Sequence, residues 1–596
     1  MTFTTRPEIK GTFGAVASTH WIASAVGMKL LEAGGTAVDS AAGTAFVLNV
    51  VEPHLNGPLG DMTAMHWQAG APAPVVYCGQ GPAPAGATIE HYRAEGLTLI
   101  PGSGLLAATV PGVFGAWCAL LHDHGRLTLR EVLEPALHYA EHGHPLLPRV
   151  AATIADQAEF FRKEWPSSAS VWLPGDVAPG AGALFRNPDL AAFWRRLLKE
   201  ADAKSGREAQ IEAARMAFYQ GFVAEAIDAQ IAAGPLMDGT GQRRSGVLRG
   251  DDMAGWTAST EPAAQVAYQG WDVWKAGPWT QGPVLLQSLK IAEALGFADA
   301  AKDDLAFVHL VTEILKRAFA DREAYYGDPK GATIPMDVLL SADHATAHAA
   351  EISDVASTNY RAGDIPGFDH QIEAALRRAQ SGSRVEAGIG GGEPTMAHLA
   401  PKEGDTVHID VVDQWGNMVS ATPSGGWLQS NPVVPGIGVP LGTRAQMFWL
   451  EPDLPTSLAP GRRPRTTLSP SFARDPSGRR IAFGTPGGDQ QDQWQLMFLL
   501  RLIHCGLDMQ QAIDQPLFMT NHMRGSFYPR DTQPGHLLIE PSFSDAVQKG
   551  LRDKGHALEI AEPWAIGRLT AAAHRADGVV EAAATPRLMQ AYAIGR

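Results

Sequence analysis

The chain has 596 residues, 45% of them hydrophobic and 19% charged, which excludes wholesale disorder. Three scattered cysteines (Cys78, Cys118, Cys505) exclude a disulfide scaffold and a CxxC zinc site. A net charge of −15 excludes a general nucleic-acid binder, which needs a basic face.

The first residues, Met-Thr-Phe-Thr-Thr-Arg-Pro-Glu-Ile-Lys, lack a charged region followed by an apolar one. Nowhere do 18 apolar residues run without a charge, so no membrane span and no membrane partner are expected. The reading is a cytoplasmic protein, or a periplasmic one if a signal has already been trimmed.

In chain order, residues 20–50 are Ala-rich with apolar spacing near 3.6 and predict helix. A turn-rich loop follows, Glu52-Pro-His-Leu-Asn-Gly-Pro-Leu-Gly-Asp61. Helices are predicted over 130–142, 187–202, 208–232, 284–296 and 304–326. Residues 378–405 turn polar and glycine-rich, including Gly388-Ile-Gly-Gly-Gly, and predict a flexible segment. No strand pattern precedes those glycines, so a dinucleotide loop is rejected. Next, Val407, Ile409 and Val411 alternate with His408 and Asp410, a strand pattern. Gly416-Asn417 marks a hairpin turn and Met418–Thr422 the returning strand. Arg480–Phe483 and Val579–Ala584 read as strands, and Trp494–Leu502 as an apolar helix. Without a βαβ rhythm, the class is α+β.

Thr406 opens the hairpin directly behind the flexible segment. A threonine hydroxyl is a weak nucleophile without a base beside it. An N-terminal threonine supplies that base itself, because an α-amine with a reference pKa of about 7.7–8.0 is partly neutral at physiological pH. That chemistry needs a cut between Asp405 and Thr406. The bland alternative is a threonine that merely begins a strand, where it is common. Gly484-Thr-Pro-Gly-Gly488, between strand and helix, suits an oxyanion hole or is an ordinary turn. His54, His66, His91 and His408 make no HExxH-type spacing, so no metal site and no cofactor are expected.

Taken together, these segments resemble the γ-glutamyltransferase family of N-terminal-nucleophile hydrolases. The resemblance rests on Glu32–Ala42, Ala108–Gly112, Phe218–Gly221, Ala320–Pro329, Asp405–Asp413 with Gly416-Asn417, Arg463–Pro470 and Thr485–Gly488, in that order over nearly the whole chain. It implies a four-layer αββα sandwich. It also implies a precursor that cuts itself into a large subunit, 1–405, and a small one, 406–596, which stay together as a heterodimer, with a further oligomer left open. Thr406 would be nucleophile, Ser424 would position it, and Gly487 and Gly488 would hold the oxyanion. Thr466 and Thr467 would contact a substrate carboxylate.

The departures from the family pattern fall on its glutamate anchors. Ile89 stands where the family has a carboxylate-binding arginine, with Arg93 four residues on. Phe448-Trp449 follows Gln446-Met447 where an aspartate would hold the α-ammonium. Gly426 replaces an asparagine. Arg444, His54, Asn56 and Asp61 are the candidate replacements, in a pocket made more apolar by Phe448, Trp449 and Trp427. The pattern resembles the branch containing oxamate amidohydrolase and cephalosporin side-chain acylases. The expected partner is a small carboxylate-bearing amide or an N-acyl compound. An ordinary glutathione hydrolase, or a non-catalytic binding protein on the same fold, are the alternatives.

Overall fold

Alternation decides which way each side of the Thr406 hairpin faces. Strand β8 (Ile409–Val412) and strand β9 (Met418–Ser424) pair antiparallel, Ile409 opposite Ala421. Val407, Ile409, Val411, Val419 and Ala421 join one apolar cluster with helices α1 (Trp21–Glu32) and α2 (Ala37–Val51). His408, Asp410 and Ser420 therefore face the opposite way, as a period-2 pattern requires. The structure is a computed structural model that describes residues 3–381, 406–589 and 591–596.

Two seven-stranded sheets stack face to face. The first runs β14-β2-β8-β9-β3-β4-β5, with β2 Ala15–Ser18, β3 Asp61–Trp67, β4 Val75–Gly79, β5 Ser259–Pro262 and β14 Tyr592–Gly595. The second runs β1-β13-β12-β11-β10-β7-β6, with β1 Ile9–Gly11, β6 Ala264–Tyr268, β7 Trp271–Lys275, β10 Ser471–Arg474, β11 Arg480–Gly484, β12 Thr570–His574 and β13 Val580–Ala584. Between them lies an apolar layer that includes Met65, Trp67, Trp274, Val412, Met418, Phe472 and Ala582. The second sheet's outer face packs on helices α7 (Pro283–Leu295), α8 (Asp304–Tyr325) and α11 (Gln491–Cys505). The order helix, sheet, sheet, helix is the expected αββα sandwich.

Two predicted helices are each broken in two. The 20–50 run stops at Ala33-Gly34-Gly35, where Gly34 has φ +94°, and restarts at Thr36, which caps α2 in a reciprocal box with Asp39. The 208–232 run divides at Gly221 into α5 (Arg207–Tyr219) and α6 (Phe222–Ala232). The predicted helices at 130–142 and 187–202 are α3 (Leu129–His142) and α4 (Pro188–Asp202). Between α8 and the hairpin lie α9 (Ala342–Ala350) and α10 (Asp369–Ser381). Residues 378–381, read as the start of the flexible segment, are helical, because Ile372, Ala375 and Ala379 continue a buried stripe. The rest of that segment, including Asp405 and the Gly388 run, lies outside the described residues. No helix of the described residues is long and apolar enough to cross a membrane.

Candidate active site

Thr406 is fully buried at the head of the hairpin. Its Oγ1 lies 3.0 Å from Ser424 Oγ, and its N–H donates to Leu55 O at 3.2 Å. Val407 N donates to Pro423 O, so the ladder continues to this end of the strands. Thr406 has φ +83°. For a β-branched residue that is an outlier, costing on the order of 1–3 kcal/mol.

Below Thr406, the same face carries a buried polar column. His408 Nδ1 meets Thr422 Oγ1 at 2.9 Å and its Nε2 meets Asp410 Oδ1 at 3.0 Å. Ser420 Oγ donates to Asp410 Oδ1 and Thr570 Oγ1 to Asp410 Oδ2, which ties the column to the second sheet. Gly484, ending β11, is pressed against this column. A Cβ there would sit 2.2 Å from the His408 ring, so only glycine fits. With Phe483 O beside Ser420 and Gly484 beside His408, the Thr485–Gly488 turn leaves β11 towards the Thr406 end.

In that turn Gly487 has φ +123° and packs on Trp494, 2.6 Å from where its Cβ would be. Gly488 has φ +55°, and its carbonyl accepts from Gln281 Nε2 at 3.0 Å. Arg322, fully buried, donates to Gln281 Oε1 at 2.9 Å and pairs with Asp489 and Glu323. Neither Arg322 nor the His408–Asp410 column was assigned a role from the sequence. Arg322 sits in a quoted family segment, and Asp410 alternates with His408, so both signals were visible but unused.

The substrate-side candidates are placed as follows. Thr466 N donates to Trp279 O at 2.8 Å, and Thr467 Oγ1 is buried with no hydrogen-bond partner among the described residues. His54 is buried, and neither ring nitrogen has a hydrogen-bond partner among the described residues. Burial, and then the charges of Arg149, Arg568 and His20, hold it well below the usual imidazole range, hence neutral. Asn56 faces α2: its amide donates to Leu48 O at 3.0 Å and Glu52 O at 3.1 Å, closing the end of that helix. Arg444 forms a buried fork with Asp61, Nη2 to Oδ1 at 2.8 Å and Nε to Oδ2 at 2.5 Å. The carboxylate that Arg444 holds is thus an internal one, and the guanidinium itself lies beside the rings of Trp427 and Phe527. Arg93 donates to Leu450 O at 2.8 Å. Trp449 lies under three guanidinium groups, with Arg530 3.9 Å, Arg378 4.7 Å and Arg524 5.3 Å from its ring centre.

The segment carrying Thr466 and Thr467 is anchored by a buried ion pair. Lys275 Nζ lies 2.9 Å from Asp492 Oδ1, and Ser469 Oγ donates to the same oxygen at 2.7 Å. Burial pulls the lysine down and the aspartate up, partly offset by their mutual attraction. Removing one partner of such a pair costs about 3–5 kcal/mol, because the other charge stays buried. Asp492→Ala is expected to lower stability by that amount in urea unfolding. Lys275→Met with Asp492→Leu is expected to lose much less, since no charge is then stranded. Equal losses in the two variants would contradict this account.

The family profile described as Gamma-glutamyltranspeptidase matches residues 23–595. The oxamate amidohydrolase proenzyme of Klebsiella pneumoniae is 30% identical over 587 residues, covering 97% of this chain and 97% of that protein. Among solved structures, LmbA2991HD is 49% identical, with a TM-score of 0.92 over 100% of both chains. The cephalosporin acylase from Bacillus halodurans is 27% identical, with a TM-score of 0.81 over 100% of this chain and 97% of its own.

Proposed function

The chain belongs to the γ-glutamyltranspeptidase family of self-processing amide hydrolases and acyltransferases, and we propose that it opens small carboxylate-bearing amides or N-acyl compounds through a Thr406 acyl-enzyme. The observation that carries the nucleophile is Thr406 itself: buried, at positive φ, with its hydroxyl 3.0 Å from Ser424. In the precursor, Oγ1 attacks the Asp405 carbonyl, the peptide becomes an ester, and water releases residues 1–405. Cleavage removes the peptide bond that defines φ at Thr406, so the strain stored there is released by maturation.

In the mature enzyme the new amine takes the Thr406 hydroxyl proton as Oγ1 attacks the substrate carbonyl. Gly487 and Gly488 supply backbone N–H donors to the oxyanion, at a buried turn where such donors act strongly. The ammonium then returns its proton to the leaving amine. Water, or an acceptor amine, takes the acyl group and frees Thr406. Thr467, whose buried hydroxyl has no partner among the described residues, and Thr466 receive the substrate carboxylate. His54, neutral and without a hydrogen-bond partner among the described residues, precedes Leu55, whose carbonyl accepts from Thr406 N. Arg444 acts through Asp61, which it orients.

The substrate class rests on Trp449. Where relatives acting on glutathione hold an α-ammonium with an aspartate, this chain has an indole beneath Arg378, Arg524 and Arg530. Glu451 pairs with Arg378 and Glu323 lies among these groups, but the cations outnumber them, so the surrounding repels an ammonium and favours an anion. Each lost charge-assisted hydrogen bond to a γ-glutamyl group is worth roughly 1.5–3 kcal/mol. The test is kcat/KM of the purified protein on oxamate, a short series of N-acyl amino acids and dicarboxylic monoamides, and γ-glutamyl-p-nitroanilide. At least one anionic amide without an α-ammonium should exceed the γ-glutamyl substrate by about 100-fold or more. A preference for the γ-glutamyl substrate would return the protein to glutathione hydrolysis.

A further inference from the structure

Three ligand-bearing side chains converge in the helical layer outside the second sheet. Asp321 lies on α8, and His344 and His348 lie four residues apart on α9, one above the other on one helix face. All three are buried. His344 Nε2 is 2.7 Å and His348 Nε2 is 2.9 Å from the same oxygen, Asp321 Oδ2, and the two nitrogens are 3.2 Å apart. Gln287 Nε2 donates to that oxygen as well, at 2.8 Å, while Gly363 N donates to Oδ1 at 2.8 Å.

Hydrogen bonding alone accounts poorly for this arrangement. If both Nε2 atoms carry protons, two N–H groups confront each other and, with Gln287, three donors crowd one carboxylate oxygen. If either Nε2 lacks its proton, its lone pair faces the lone pairs of Oδ2 at less than 3 Å. With the carboxylate ionised, every tautomer leaves one repulsive contact. A cation removes the conflict, because all three atoms can then turn lone pairs to one point.

We propose that Asp321, His344 and His348 bind a divalent transition-metal ion of the zinc class. A triangle with sides of 2.7, 2.9 and 3.2 Å has its corners about 1.7 Å from its centre. An ion roughly 1 Å off that plane is therefore about 2.0 Å from all three atoms, the usual zinc–imidazole and zinc–carboxylate bond length. Two imidazoles and a carboxylate suit zinc, with a fourth position for water. Asp321 is already oriented by Gln287 and Gly363, as a ligating carboxylate is in characterised sites. Gly363 matters for a second reason: a Cβ there would stand 2.6 Å from His344 Cε1 and 2.8 Å from His348 Nε2.

The other buried trio, His309, Glu313 and His556, shows what a hydrogen-bonded cluster looks like. His309 Nε2 has Ser353 O as acceptor at 2.8 Å, and Glu313 has Lys316 Nζ at 2.7 Å and Ser357 N at 3.0 Å as donors. Complementary partners serve that carboxylate and that imidazole, and the geometry asks for no ion.

The proposed ion touches no reacting atom. It ties α9 and the Gly363 backbone to α8, and Asp321 is followed on α8 by Arg322, which braces the Gly488 turn. The test is elemental analysis of the full-length protein, loaded with Zn2+ and desalted. About one zinc per chain is expected in the wild type, and less than about a tenth in His344→Gln/His348→Gln. Co2+ in place of zinc should give the visible absorption of a four-coordinate site in the wild type alone. Zn2+ should raise the wild-type melting temperature and a chelator lower it. Should the variant fail to fold, the wild-type measurements decide by themselves. A wild type that retains less than about a tenth of an equivalent after loading, with a melting temperature indifferent to Zn2+ and chelator, overturns the proposal.

Discussion

Thr406→Ala is expected to leave one uncut chain of 63.5 kDa where the wild type gives two fragments meeting between residues 405 and 406. The variant lacks the oxygen that attacks Asp405, and with no cut there is no α-amine to act as base. Both catalytic groups vanish together, so amide hydrolysis should fall by at least about 10³-fold. Thr406→Ser keeps the hydroxyl and should mature and turn over, more slowly. Ser424→Ala removes only the hydroxyl 3.0 Å from Thr406 Oγ1. One neutral hydrogen bond is worth about 0.5–1.5 kcal/mol, so maturation should slow by roughly 2- to 13-fold without being abolished. Intact-mass spectrometry over time reads all three variants. A Thr406→Ala chain that is still cut at 405/406 would remove Thr406 from the mechanism.

The second large effect is acid unfolding between about pH 6 and pH 4.5. Burial pushes His20, His66 and His522 down to about 3 and His144 to about 4. These imidazoles are neutral in the folded protein, whereas in the unfolded chain each titrates near 6.5. Between those values the unfolded state binds more protons. Stability from these groups is therefore complete above about pH 6.5 and falls as pH drops towards the folded values. At pH 5 each histidine costs about 2 kcal/mol, and the four together about 8. That is of the order of a whole domain's stability. The 15 tryptophans allow the transition to be followed by fluorescence. His66→Asn, which removes one buried imidazole, should move the midpoint to lower pH. A melting temperature that stays flat down to pH 4.5 would contradict the assignment.

These two effects differ in where they can be read. The Thr406 hairpin was legible because a half-buried strand has a period of two: Val407, Ile409 and Val411 point to α2, and that alone turns Thr406, His408 and Asp410 to the space between the sheets. The long apolar helices were legible for the same kind of reason, although their breaks at Gly34 and Gly221 were not, because apolar spacing continues across them. The roles of the side chains around the hairpin depended on partners far away in sequence. Asn56 looked like a pocket residue and instead closes α2. Arg444 looked like an anchor for a substrate and is held by Asp61, 383 residues earlier.

Length, composition, alternation and the order of short motifs were thus enough for the fold class and for Thr406 at the head of a strand, since each of these is a local property of the chain. Only the tertiary structure decided which charges neutralise one another inside the protein, that three arginines crowd Trp449, and that His344 and His348 meet Asp321. Coulombic and hydrogen-bonding partners are chosen by packing across hundreds of residues, and no periodicity in the sequence records that choice.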